Sequence, residues 1–183
     1  MTTDPSGVYQ LRAPGPGAAK FMTNVGLDEV IGLTPQEPER VEAQQWEIVP
    51  VPGAERPNMY YIYLHQTGNV KPLALAQQHR HGAHHHSKDH HMHDDCCLPQ
   101  GPLILSARHV DEWEITPMVN LPEEHTAKSF IFRPATNAPG REWCIGTDGS
   151  QVTIKSFSVD SDEERPHWLL EESTVAEASV PSV

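Results

Sequence analysis

The amino-acid sequence predicts an all-β chain folded as a β-trefoil, twelve short strands in three pseudo-repeats with a histidine-rich loop inserted in the second. Three observations carry this. Gln45-Trp46-Glu47-Ile48, Glu112-Trp113-Glu114-Ile115 and His167-Trp168-Leu169-Leu170 close three similar stretches. Each stretch opens far upstream on an aromatic strand: Val8-Tyr9-Gln10-Leu11, Tyr60-Tyr61-Ile62-Tyr63-Leu64 or Ser129-Phe130-Ile131-Phe132. Tyr9 to Trp46 spans 37 residues, Phe130 to Trp168 spans 38, and Tyr61 to Trp113 spans 52; without the 15-residue tract from His79 to His93 the last becomes 37. A near-equal threefold period is the mark of an internal repeat.

Each repeat reads as four strands. The first places them at 7–12, 19–24, 29–33 and 44–49, the second at 59–64, 72–76, 102–106 and 111–116, and the third at 128–133, 141–146, 151–157 and 167–171. Turn chemistry separates them at Ala13-Pro14-Gly15-Pro16-Gly17, Pro52-Gly53, Thr67-Gly68-Asn69, Asn137-Ala138-Pro139-Gly140 and Thr147-Asp148-Gly149-Ser150. Val152-Thr153-Ile154-Lys155-Ser156-Phe157 alternates as a strand with one buried face does. The proline- and acid-rich stretches 34–43 and 117–126 read as solvated loops, 1–6 and 173–183 as loose ends, and 7–172 as one domain holding the insertion 79–97. No four-strand unit can bury a face alone. A six-stranded barrel capped by three hairpins solves this, with Trp46, Trp113 and Trp168 packed beside Ile48, Ile115 and Leu170 near the pseudo-threefold axis.

Composition narrows the function. The 183 residues suit one well-buried domain, and 17 Pro with 12 Gly favour turns over long helices. A net charge of −12 excludes nucleic acid and anionic membrane surfaces as partners, although twelve protonated histidines would nearly cancel it. No apolar run reaches the ~18 residues of a membrane span, and Met1-Thr2-Thr3-Asp4-Pro5 lacks the basic and apolar regions of a signal peptide, so a cytoplasmic protein is expected. Cys96 and Cys97 are adjacent and Cys144 stands alone, which implies no disulfide framework.

Gly7-Val8-Tyr9-Gln10-Leu11-Arg12, Met22-Thr23-Asn24, Val30-Ile31-Gly32-Leu33, Gln44-Gln45-Trp46-Glu47-Ile48-Val49-Pro50 and Trp168-Leu169-Leu170-Glu171 together resemble the β-trefoil proteins of mushrooms, most of all the mycospin-type protease inhibitors. Gln44-Gln45-Trp46 is equally similar to the Gln-x-Trp of ricin-B-type lectins. The first resemblance implies a fungal, cytoplasmic defence protein that blocks a serine or cysteine protease with an exposed loop. In such relatives the loop can lie between the second and third strands, here Asn24-Val25-Gly26-Leu27-Asp28-Glu29, where Leu27 suits a chymotrypsin-like pocket. It can also lie between the last two strands, here Asp160 to Pro166, where Arg165 is the basic candidate. The related cysteine protease inhibitors of mushrooms can present an asparagine between the fifth and sixth strands to asparaginyl endopeptidase. Asn69 of Gln66-Thr67-Gly68-Asn69-Val70-Lys71 stands there, although Gly-Asn also suits a plain hairpin turn.

Two further classes stay open. A glycan-binding site would use Trp143 as its stacking platform, with Arg141, Asn137 and Asp148 for the hydroxyls. The tract from His79 to Cys97 holds eight histidines, three carboxylates at Asp89, Asp94 and Asp95, and two thiols. His81, His84, His85, His86, His90, His91, His93, Cys96 and Cys97 offer many four-ligand sets for Zn²⁺, Ni²⁺ or Cu²⁺, and with them metal-linked self-association. No cofactor is required by anything else in the chain. Without a nucleophile elbow, a phosphate-cradling loop or a zinc-binding His-Glu-x-x-His helix, the sequence reads as a non-enzyme. Cys144, mid-strand beside Trp143, reads as a small packing residue.

Overall fold

The computed structural model describes residues 4–78, 99–118, 128–136 and 139–172. Its first repeat comprises β1 (Gly7–Ala13), β2 (Lys20–Thr23), β3 (Gly32–Pro35) and β4 (Gln45–Pro50). The second holds β5 (Met59–Leu64), β6 (Ala74–Gln77), β7 (Gly101–Ser106) and β8 (Trp113–Pro117). The third holds β9 (Ser129–Pro134), β10 (Arg141–Asp148), β11 (Gln151–Ser158) and β12 (Trp168–Glu172).

The outer strands of the repeats close a ring. β1 pairs with β4, β4 with β5, β5 with β8, β8 with β9, β9 with β12, and β12 returns to β1, all antiparallel. The inner strands form the hairpins β2–β3, β6–β7 and β10–β11. β11 then joins both other hairpins, through Gln151 opposite Gly32 and Thr153 opposite Pro102. This is a β-trefoil, a closed barrel under a three-hairpin cap. Closure matters because a twelve-strand chain with little hydrophobic surface leaves no open barrel edge to aggregate.

Register explains the repeat arithmetic. The opening aromatic of each repeat lies directly across from its closing tryptophan: Tyr9 opposite Trp46, Tyr60 opposite Trp113, and Phe130 opposite Trp168. The partner in the second repeat is therefore Tyr60, one residue earlier than the expected Tyr61. Tyr60 is buried, whereas Tyr61 and Tyr63 alternate onto the outer face with ring centroids 6.0 Å apart. The three tryptophans are fully buried beside Ile48, Ile115 and Leu170. Each indole N–H donates to the carbonyl of a residue in the second strand of its repeat: Trp46 to Met22 at 2.9 Å, Trp113 to Leu75 at 3.2 Å and Trp168 to Ile145 at 2.9 Å. The tryptophan thus stitches hairpin to barrel three times over, satisfying its one polar atom where no water reaches.

Three expectations need correction. The third strand covers 32–35 rather than 29–33, because Ile31 spends its backbone on the cap. Its N–H donates to Leu103 at 2.8 Å and its carbonyl accepts from Val152 at 2.9 Å, so it bonds the two other hairpins instead of β2. The stretch 34–43 is no plain solvated loop. Pro38–Gln44 is a short 3₁₀ segment, broken at Arg40, that buries Ala43 and Gln44. The N-terminal arm is not loose as far back as Asp4: Pro5 is buried, and the Asp4 carboxylate accepts from the Ser6 N–H at 3.0 Å and hydroxyl at 2.6 Å. The stretches 1–3 and 173–183, and most of 117–126, lie outside the described residues.

Candidate functional site

The strands commit their inward side chains to the core, so recognition falls to the connections. Two of them border one cleft of about 450 Å³, lined by Asn24, by Arg40, Glu42 and Ala43 of the 3₁₀ segment, and by Gln45, Leu64, His65, Gln66, Thr67 and Val70.

The β2–β3 loop is tightly held. The Asn24 side-chain oxygen accepts from the Gly26 N–H at 2.9 Å, an Asx turn, and the Asn24 N–H donates to the Ala43 carbonyl at 2.8 Å. Asp28 sits in the left-handed region at φ 59° and donates its N–H to Leu105 at 2.8 Å. Val25 and Leu27 project from this turn and are half exposed, at 50% and 54%. Leu27 is therefore presented to solvent, but on a closed turn rather than on the extended chain a substrate-like inhibitor requires.

The β5–β6 loop differs. It is closed at its base by the Leu64 N–H donating to Leu73 at 2.8 Å, and the His65 N–H donates to Gln45 at 2.9 Å. Nine residues, 65–73, separate the strands, and Thr67 to Pro72 are all exposed. Gly68, at φ 98°, turns the chain ahead of Asn69. Gly68-Asn69 is thus not the two-residue turn of a tight hairpin; it lies mid-loop, and no described residue hydrogen-bonds the Asn69 carboxamide.

Arg165 does not serve as an exposed basic residue. Its guanidinium folds inward over the Phe157 ring, 5.0 Å from the centroid, and donates to the carbonyls of Ser158, Ser161 and Glu163 and to the Glu142 carboxylate. With every N–H face engaged and the side chain 14% exposed, it props the β11–β12 connection from inside. Glu142 also accepts from Arg133, which reaches on to the Thr116 hydroxyl at 2.7 Å. Burial pushes the Glu142 carboxyl upward, but the hydrogen bonds and charges of Arg165 and Arg133 outweigh it and hold the group below its ordinary value. A carboxyl lowered by folding adds stability that is present above its unfolded pKa of ~4.3 and is lost as pH falls through its folded value. We expect the gap in urea midpoint between wild type and Glu142→Gln to be widest at pH 7 and to close as pH falls below that range. A gap unchanged down to pH 3 would show that the charge contributes nothing.

The expected sugar site does not assemble. Trp143 is 4% exposed and packs within the core, so it offers no ring face for stacking. Arg141 and Asp148 stand at opposite ends of the eight-residue β10, roughly 23 Å apart at the rise of a strand. Arg141 is bonded to the Ser156 hydroxyl at 2.7 Å. Asn137 lies outside the described residues. Gln44, the glutamine of the lectin-like Gln-x-Trp, is wholly buried and occupied by the protein's own groups. Cys144 is buried as expected, and desolvation pushes its thiol up to about 12, far from a reactive thiolate. The whole tract from His79 to Cys97 also lies outside the described residues, and among those described no three His, Cys, Asp or Glu side chains gather as a metal site. No helix among them is long and apolar enough to cross a membrane.

The 3₁₀ wall of the cleft was not anticipated as part of a site. One signal for it was in the sequence: Pro38 behind Glu37 suits the first turn of a short helix, where the missing N–H is no loss.

A family model described as "Peptidase inhibitor clitocypin" matches residues 7–170. The chain belongs to the clitocypin family of peptidase inhibitors. Membership makes it an inhibitor rather than an enzyme, with a protease as its partner, and bears out the likeness to mushroom β-trefoil inhibitors read from the sequence. The match takes in eleven strands and the start of the twelfth, with the cleft and both loops beside it. Among solved structures, the chain is similar to a designed threefold-symmetric protein, ThreeFoil, with a TM-score of 0.53 and 12% identity over 90% of this chain and 98% of that one. At that identity the likeness concerns the fold alone. A comparison with curated proteins gives no match.

Proposed function

We propose that this clitocypin-family inhibitor blocks an asparaginyl-specific cysteine peptidase by offering Asn69, on the β5–β6 loop, to the enzyme's specificity pocket. The observation that carries this reading is the loop itself: six consecutive exposed residues with Asn69 among them, closed at the base by a backbone bond and tied to the barrel through His65. A loop anchored at both ends loses little ordering entropy when it enters a cleft. A pocket built to hydrogen-bond a carboxamide discriminates strongly against a side chain that lacks one, because its own polar groups are left unpaired. The β2–β3 loop supports the role less well, since Leu27 rides on a closed turn, and the β11–β12 connection less still, since Arg165 is spent on its own carbonyls.

The test is inhibition of asparaginyl endopeptidase, papain, chymotrypsin, trypsin and subtilisin by wild type and by Asn69→Ala. We expect tight inhibition of the first enzyme, weakened roughly 100-fold or more in the variant, with thermal stability unchanged because Asn69 is exposed. Full inhibition by Asn69→Ala would remove Asn69 from the active site of the target.

A further inference from the structure

We infer that the cleft between the 3₁₀ segment and the β5–β6 loop is a second contact for the same peptidase, seating a segment of the rim around its active site. This rests on the proposed role of Asn69. The cleft begins where the loop does: Thr67 and Val70, two residues before Asn69 and one after it, form one wall, and Arg40, Glu42 and Ala43 form the other. An enzyme that takes Asn69 into its pocket therefore meets this depression with its adjoining surface.

Three features suit the cleft to a polypeptide. Its polar lining includes groups without hydrogen-bond partners among the described residues: the Gln66 side-chain oxygen, and the His65 Nδ1, whose nearest acidic neighbour is a Glu47 oxygen at 3.9 Å. A buried acceptor left unpaired costs on the order of 1–3 kcal/mol, and Gln66 can recover this by turning into the cleft toward an incoming backbone N–H. Exposed apolar residues stand on both loops that border it. Of the five large hydrophobic side chains exposed among the described residues, Val70 lines the cleft, and Val25 and Leu27 follow Asn24, which also lines it. The 3₁₀ wall is held in place. The Asn24 N–H is bonded to Ala43, and the Gln44 side chain anchors the end of the 3₁₀ segment through the Glu37 N–H at 3.2 Å and the Pro35 carbonyl at 2.9 Å. A preformed polar depression with an apolar lip is what a protein interface uses to fix orientation beside a central anchor. The second contact also makes the Leu27 loop part of one surface with Asn69 rather than an independent inhibitory head, so the stoichiometry is one peptidase to one inhibitor.

The experiment uses asparaginyl endopeptidase and five proteins: wild type, Asn69→Ala, Glu42→Arg, Leu27→Asp and, as a control for an exposed valine on the β11–β12 connection, Val159→Asp. Inhibition constants and backbone hydrogen exchange in the complex are both read. The expected result is that Glu42→Arg and Leu27→Asp each weaken inhibition about tenfold, that Val159→Asp leaves it unchanged, and that residues 40–45 and 64–67 gain protection on binding. If wild type inhibits, Asn69→Ala does not, and both cleft variants match wild type with no protection at 40–45, the second contact is overturned while the role of Asn69 stands. If wild type fails to inhibit this enzyme, both fall together.

Discussion

Trp113→Ala should cost roughly 4 kcal/mol, enough to unfold much of the population of a domain of this size. The indole is wholly buried at the junction of β5, β6 and β8, and its removal leaves a cavity that a closed barrel cannot collapse to fill. A milder series isolates the stitching bond. Phenylalanine at Trp46, Trp113 or Trp168 keeps most of the ring but strands the carbonyl of Met22, Leu75 or Ile145, adding on the order of 1–3 kcal/mol to the packing loss. Trp143→Phe lacks that added cost, because no described residue accepts from the Trp143 indole. Urea unfolding of the four phenylalanine variants separates the cases. Equal destabilisation at all four positions would show that packing alone sets the value of the axial tryptophans.

The same bonds show why so much of the fold was legible from residues. The tryptophans recur because each repeat needs one large side chain that fills the barrel and also carries a donor for the hairpin above it. That double duty leaves a period in the sequence. The opening aromatics recur because each lies across the ladder from its tryptophan, and the one-residue slip at Tyr60 arose because Tyr60, Tyr61 and Tyr63 give the same letter on both faces of a strand.

The misreadings share a physical cause as well. Ile31 and Leu33 look like an ordinary strand, yet Ile31 serves the three-hairpin junction, a contact among distant segments that no local pattern records. Trp143 looked available because it closes no repeat, but it shares the inward face of β10 with Ile145, and both belong to the core. The other face is covered as well: Cys144 and Gly146 are buried, and a Cβ on Gly146 would meet Pro166 of the β11–β12 connection at 3.1 Å. Arg165 looked like an exposed cation, but its guanidinium makes four hydrogen bonds, three to carbonyls of its own connection and one to Glu142. The cleft was invisible for the same reason as the Ile31 junction: its two walls come from segments about 25 residues apart in sequence.

Gln44→Ala should destabilise the fold by about 3 kcal/mol and also disturb the candidate site, which links the core to function. The Gln44 side chain is fully buried among groups from four segments. Its amide nitrogen donates to the hydroxyls of Thr23 at 3.1 Å and Thr34 at 3.0 Å and to the Pro35 carbonyl at 2.9 Å, while its oxygen accepts from the Glu37 N–H at 3.2 Å and from Gln10 at 3.4 Å. Truncation leaves several of these partners buried and unpaired, and a network loses more than its members do singly. The nearest backbone to feel the loss is the 3₁₀ segment ending at Gln44, whose Arg40, Glu42 and Ala43 form the far wall of the cleft. Two measurements on one protein then decide what the network is for. If Gln44→Ala lowers the urea midpoint and, under conditions where it remains folded, also weakens peptidase inhibition several-fold, the buried amide holds a recognition surface in place. If stability falls while inhibition stays at the wild-type level, the network serves packing only, and the 3₁₀ wall is not part of what the peptidase touches.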